Sequence, residues 1–127
     1  MQLAPDHISA IVDHAKAEAP NECCGLIAAR NGTSERVYPM RNAAASPLRF
    51  EVDGLEVQRT LDEIDGEGLE VAAVYHSHTR TDPYPSQTDI TFAQGWGPQT
   101  LWVIVGLASG EPVIRTYRID GADVQEF

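Results

Sequence analysis

Two of the chain's four histidines stand one residue apart in Tyr75-His76-Ser77-His78, and a loop leads from them to Ser86-Gln87-Thr88-Asp89. On a β-strand alternate side chains share a face, so His76 and His78 would point the same way with Cα atoms roughly 6.5 Å apart. Two imidazoles and one hard carboxylate make three protein ligands and leave a fourth position for water. That open arrangement is the form of a catalytic zinc site; structural sites are closed and usually rich in cysteine. Pro83 and Pro85 restrict the loop and stiffen the span between the strand end and Asp89. Plainer readings stay open on these residues alone. A solvated strand end also accounts for His-x-His, and a helix capping box in which Asp89 serves only Ser86 also accounts for Ser-x-x-Asp.

Hydrolysis at such a site needs a group that moves a proton from the attacking water. Glu22 is the candidate, because it directly precedes the first apolar run, in Asn21-Glu22-Cys23-Cys24-Gly25. Among 19 acidic residues a plain surface role explains it equally well by spacing. Glu51, Glu56, Glu70 and Asp82 are weaker candidates, since nothing local aims them at the histidine pair.

The elements that would carry these groups follow from periodicity. Asp6 to Ala19 places Ile8, Ile11, Val12, Ala15 and Ala19 at the offsets of an amphipathic helix, ended by Pro20-Asn21. His7 and His14 lie on it at one-face spacing, as solvated positions. Cys23 to Arg30 is a short apolar strand closed by the hairpin signal Asn31-Gly32. Arg36 to Asn42 is a second strand, and Pro39 marks it as an edge or a bulge. Leu48 to Val52 reads as a third. Asp53-Gly54-Leu55-Glu56 resembles a capping box that opens a helix with Val57, Leu61 and Ile64 on one face, stopped by Gly66 and Gly68. Val71 to His78 is apolar on both faces up to Tyr75, as in a central strand covered on both sides. Ser86 is the N-cap of a short helix through Gln94, and Gly95 to Pro98 is the break. Thr100 to Leu107 and Val113 to Ile119 form the last hairpin, with Trp96 and Trp102 as packing residues. This order makes an α/β fold with a single mixed β-sheet flanked by helices.

Composition bounds the rest. The 127 residues are expected to form one domain, 1–127, large enough to fold without disulfides or a structural metal. A formal net charge of −10 excludes a nucleic-acid-binding role of the usual kind, which needs a concentrated basic face. No apolar run reaches 18 residues and MQLAPDHISA lacks a basic-then-apolar signal, so the reading is cytoplasmic with no membrane contact. Cys23 and Cys24 are the only cysteines; side by side on a strand they would diverge, as small buried apolar residues in a reducing compartment.

Taken together, Glu22, His76-Ser77-His78 and Ser86-x-x-Asp89, with ten residues between His78 and Asp89, resemble the signature of the JAMM (MPN+) metalloproteases. The resemblance spans Glu22 to Leu107, with Thr79 standing where many members carry proline. It implies a cytidine-deaminase-like α/β/α fold, one zinc ion per chain on His76, His78 and Asp89, Glu22 as general base, and Ser86 as a stabiliser of the oxyanion. The deaminase reaction is not implied, because the His-x-Glu and Pro-Cys-x-x-Cys ligand set is missing. Among members, Tyr84 before Pro85-Ser86 and the compact chain look most like the bacterial Mec type. Those enzymes cleave the amide bond after the Gly-Gly tail of a small ubiquitin-like sulfur-carrier protein and release cysteine for cysteine biosynthesis. The alternatives are a deubiquitinase-like isopeptidase or processing protease on another ubiquitin-like protein, and a non-catalytic zinc-containing module that binds carrier tails. A carrier tail could add as a strand to an exposed edge, for which residues 36–50 are the candidate. A homo-oligomer is compatible with all of these.

Overall fold

The computed structural model describes residues 1–127. Its sheet has six strands in the order β2-β1-β3-β4-β5-β6. In chain order these are β1 (Cys24–Arg30), β2 (Thr33–Met40), β3 (Glu70–His78), β4 (Leu101–Gly106), β5 (Val113–Asp120) and β6 (Asp123–Glu126). The helices are α1 (Pro5–Glu18), α2 (Gly54–Gly66) and α3 (Gln87–Ala93). Only β3 and β4 run parallel, joined through α3; every other neighbouring pair is antiparallel, so the sheet is mixed as the sequence suggests.

The two faces of the sheet bury different layers. On one, Ile11 and Ala15 of α1 pack on Cys23, Ile27, Ala73, Tyr75, Val103 and Val105. On the other, Ile64 of α2 and Ala93 of α3 pack on Cys24, Leu26, Val74, Trp102 and Ile104. Cys23 and Cys24 are free thiols that diverge into these two cores, and burial pushes them up to about 11 and about 12. Each fully buried large aliphatic or aromatic side chain contributes roughly 1.5–3 kcal/mol, so the layers rather than local propensity hold the three short helices in place. No helix is long and apolar enough to cross a membrane.

Local chemistry explains most boundaries. Asn31 (φ 52°) and Gly32 (φ 80°) take the left-handed conformations that a tight hairpin turn demands, and β2 therefore starts at Thr33, ahead of the expected Arg36. Pro39 sits in β2, an edge strand, where its missing N–H breaks no ladder. Four expectations are corrected. Leu48 to Val52 is not a strand; residues 41–53 form an irregular segment tied down by side chains. The Asp53 carboxylate caps Leu55 N at 3.4 Å, but Glu56 Oε1 accepts from Arg41 N at 3.2 Å rather than closing a capping box. Strand β6 was not expected, because Asp123-Val124-Gln125-Glu126 carries almost no apolar signal and is added to the sheet edge by pairing alone. Finally, neither histidine of α1 is a solvated helix position: His7 Nδ1 lies 2.7 Å from Ser34 Oγ, and His14 is tied to the central strand. His14 Nδ1 is hydrogen-bonded to the Tyr75 hydroxyl at 2.7 Å, and burial lowers the pKa of His14 while Glu18 opposes that.

Candidate metal centre

The central strand β3 ends in the two histidines. With Cys24 opposite His76 on one side and Ile104 opposite it on the other, register fixes both rings on the face shared with α2 and α3. Their Nε2 atoms lie 3.2 Å apart, and each is 3.0 Å from Asp89 Oδ2. All three side chains are buried.

Asp89 arrives there because of the helix cap. Ser86 Oγ accepts from Asp89 N at 3.1 Å, and Ser86 N donates to Asp89 Oδ2 at 3.0 Å. The capping box and the cluster are therefore one construction: the oxygen that the cap orients is the oxygen that meets both imidazoles. Ser86 Oγ uses only a lone pair in the cap, which leaves its O–H free to donate elsewhere.

The donor set fits a cation. A tetrahedral ion bound at about 2.0–2.1 Å separates its ligand atoms by roughly 3.3 Å, close to the spacings observed. Tautomer chemistry points the same way. His78 Nδ1 is 2.8 Å from the Asp82 carbonyl, which can only accept, so the proton sits on Nδ1. A neutral His78 then aims a bare lone pair at the Asp89 carboxylate, a repulsion that a cation between them would turn into attraction. Burial is the largest single influence on His78 and would lower it. The Asp89 hydrogen bond, the Asp82 carbonyl and the charges of Asp89 and Glu22 outweigh it, so without metal the imidazole is held above its ordinary value. His76 is wholly buried, and burial lowers its pKa despite Asp89, which keeps it neutral. Burial would raise Asp89, but the histidines and the Ser86 N–H hold its carboxyl well below the usual carboxylate range.

His76 Nδ1 has no hydrogen-bond partner. Its ring is packed instead by Phe50, with centroids 4.7 Å apart and planes at 31°, and by the edge of Trp102. Glu22 is 4% exposed and its Oε1 is likewise without a partner. Burial pushes its carboxyl up to about 7, with His78 pulling it down and Asp89 pushing it up. A buried carboxyl titrating near neutrality, within the influence of two of the cluster's groups, is suited to taking and returning protons.

The competing acids lie elsewhere. Glu51 pairs with Arg49, Glu56 caps Arg41 N, Glu70 is exposed at the far end of β3, and Asp82 contributes its backbone carbonyl to His78. Three neighbours of the site carried no sequence signal: Asn42, Phe50 and the Asp82 carbonyl. An open cleft of about 360 Å³ runs beside Asp89, between Arg49–Glu51 and Gln87–Phe92.

Residues 4–120 match the family of prokaryotic homologs of the JAB domain. A CysO-cysteine peptidase of Mycobacterium tuberculosis is 39% identical over 132 residues, which covers 98% of this chain and 86% of the relative. A desampylase of Pyrococcus furiosus is 30% identical over 103 residues, 81% of this chain and 72% of its own. Among solved structures, a protein of Desulfitobacterium hafniense superposes with a TM-score of 0.86 at 30% identity, covering 99% of this chain and 88% of its own. A JAB1/MPN domain protein of Archaeoglobus fulgidus matches with a TM-score of 0.67 at 19% identity, over 100% of this chain and 94% of its own; it speaks to the fold alone.

Proposed function

The chain belongs to the family of prokaryotic homologs of the JAB domain, and from that premise we propose that it is a zinc-dependent peptidase acting on a small ubiquitin-like sulfur-carrier protein. The bond cleaved is the amide after the carrier's Gly-Gly tail, and the group released is cysteine, which ties the enzyme to cysteine biosynthesis. The relative from Mycobacterium tuberculosis, named for CysO-cysteine, supports that choice of substrate. The observation that carries the reading is the convergence of His76 Nε2, His78 Nε2 and Asp89 Oδ2 within 3.2 Å of one another, with a buried Glu22 whose Oε1 has no partner and whose carboxyl feels the charges of His78 and Asp89.

His76, His78 and Asp89 hold one zinc ion per chain, a borderline cation suited to two imidazoles and a carboxylate. When bound, the ion supplies a Lewis acid for the scissile carbonyl and lowers the pKa of water to about 7. Glu22 takes the proton of the attacking water and passes it to the departing amine. The Ser86 O–H donates to the carbonyl oxygen as negative charge develops there, a contact stronger in the transition state than in the ground state. The Asp82 carbonyl keeps the His78 proton on Nδ1, and the cap at Ser86 keeps Asp89 from turning away. In this reading residues 1–127 work as one domain. A cytoplasmic setting accords with two free cysteines.

The test is direct. Mycobacterial CysO–cysteine incubated with the protein should lose one cysteine residue by intact mass, should remain whole when a chelator is present, and should be cleaved again when zinc is restored. An adduct left intact by the zinc-loaded protein contradicts the proposal.

A further inference from the structure

Glu22 lies outside the sheet ladder, since β1 begins at Cys24. What fixes its backbone is the part of the irregular segment that spans residues 41–52. Glu22 N donates to Ser46 O at 2.9 Å, and Glu22 O accepts from Asn42 Nδ2 at 3.0 Å. Asn42 is 8% exposed and uses its whole hydrogen-bonding capacity. Nδ2 also donates to Arg49 O at 3.1 Å, with Ser46 O at 3.5 Å, while Oδ1 accepts from Ala44 N and Glu51 N, both at 3.0 Å. One carboxamide thus closes a loop containing Ala45, whose φ of 45° is costly for a residue with a Cβ and needs such restraint.

A second fastening comes from Thr79, the residue that follows β3. Thr79 Oγ1 donates to Pro20 O at 2.9 Å, with Pro47 O at 3.4 Å on the same hydroxyl. It therefore joins the end of β3, the approach to Glu22 and the middle of the segment. Proline at this position has neither hydroxyl nor N–H and could make no such link. At its far end the segment lays the Phe50 ring on His76.

We propose that the Asn42 carboxamide and the Thr79 hydroxyl are positioning groups for the hydrolytic reaction, fixing residues 41–52 as a bracket that holds the Glu22 backbone and the Phe50 ring against the His76–His78–Asp89 cluster. This rests on the reading of Glu22 as the group that moves the proton. The ligand atoms themselves come from β3 and α3, so the bracket acts on proton transfer and leaves the metal in place.

The test uses the full chain and mycobacterial CysO–cysteine. Asn42→Asp keeps the shape of the side chain but turns two donors into acceptors facing Glu22 O and Arg49 O. It should keep one metal per chain and a KM within threefold of the parent, while kcat falls about 100-fold, the loss expected of a group misplaced by an ångström. Hydrogen exchange at residues 41–52 should accelerate, with β3 and β4 unchanged. Thr79→Val should lower kcat about tenfold, and Thr79→Ser should restore it. If Asn42→Asp does not fold, the Thr79 pair decides alone. The inference is overturned by parental kcat in both Asn42→Asp and Thr79→Val, by a loss of kcat that tracks loss of metal, or by exchange that accelerates throughout the sheet. Glu22→Gln run alongside separates the two levels: if it too turns over normally the proposed function has failed, and if it is inactive while the bracket variants are not, only the bracket has.

Discussion

Tyr75 and His76 are neighbours on β3 and point to opposite faces, and the two faces treat buried polarity differently. On the α1 face the Tyr75 hydroxyl meets His14 Nδ1 at 2.7 Å, with the ring seated against Gly25, and both polar groups are satisfied. On the α2 and α3 face His76 Nδ1 and Glu22 Oε1 have no partner, and three ligand atoms crowd within 3.2 Å. A buried donor or acceptor left unsatisfied costs about 1–3 kcal/mol. One strand therefore carries a closed pair that serves stability and an open cluster that lowers it, and the open one is where chemistry is to be sought.

The largest way to break this contrast is at the two histidines. His76→Ala should abolish both metal binding and turnover, whereas His14→Ala should leave metal content at one per chain by atomic emission; equal metal in both variants would erase the distinction between the faces. Next is Gly25→Ala. A Cβ there would lie 2.3 Å from a Tyr75 ring atom, and that ring is pinned by His14. The expected cost is about 3 kcal/mol in urea unfolding, with metal affinity unchanged.

The metal-free protein offers a third test, through pH. Glu22 is pushed up to about 7 in the fold, chiefly by burial, from an ordinary value of 4.5. Between those values the folded protein keeps a proton that the unfolded chain releases, so Glu22's contribution is fully present below 4.5 and is lost as pH rises through about 7. Thermal scans of metal-free wild type and Glu22→Gln should show the wild type losing stability relative to the variant across that window; parallel curves would mean that Glu22 titrates normally. The smallest effect is expected of Tyr75→Phe, about 1 kcal/mol of stability with unchanged kcat, measured by denaturation and turnover on the same preparation.

What could be read from the sequence follows the range of the forces involved. The shared face of His76 and His78 is a consequence of the two-residue strand period, and the Ser86 cap is a contact across three residues, so both were legible. Central β3, the α1 stripe and the edge character of β2 follow the same local rules. Glu22 was a candidate from its place just before the first apolar run, but spacing alone could not separate it from a surface acid; the resemblance to a known signature gave it a role, and in the fold its carboxyl is buried. The misses are non-local. The pair His14–Tyr75 joins residues 61 apart. Asn42 sits in Met40-Arg41-Asn42-Ala43, which advertises nothing, and its role arises from backbone groups converging from Glu22 to Glu51. Segment 41–53 has the apolar residues of a strand, but its hydrogen bonds go to side chains and loops, and β6 has the hydrogen bonds of a strand without the apolar residues.

The most direct measurement is single-turnover cleavage of CysO–cysteine by Glu22→Gln, with metal content determined on the same sample. Gln keeps the size of the side chain and removes the ability to accept a proton as a carboxylate. One metal per chain with cleavage slowed by about 10²–10⁴ is the expected result. Cleavage at the wild-type rate by the metal-loaded variant would contradict the assignment of Glu22 and, with it, the reading of the open cluster as a hydrolytic centre.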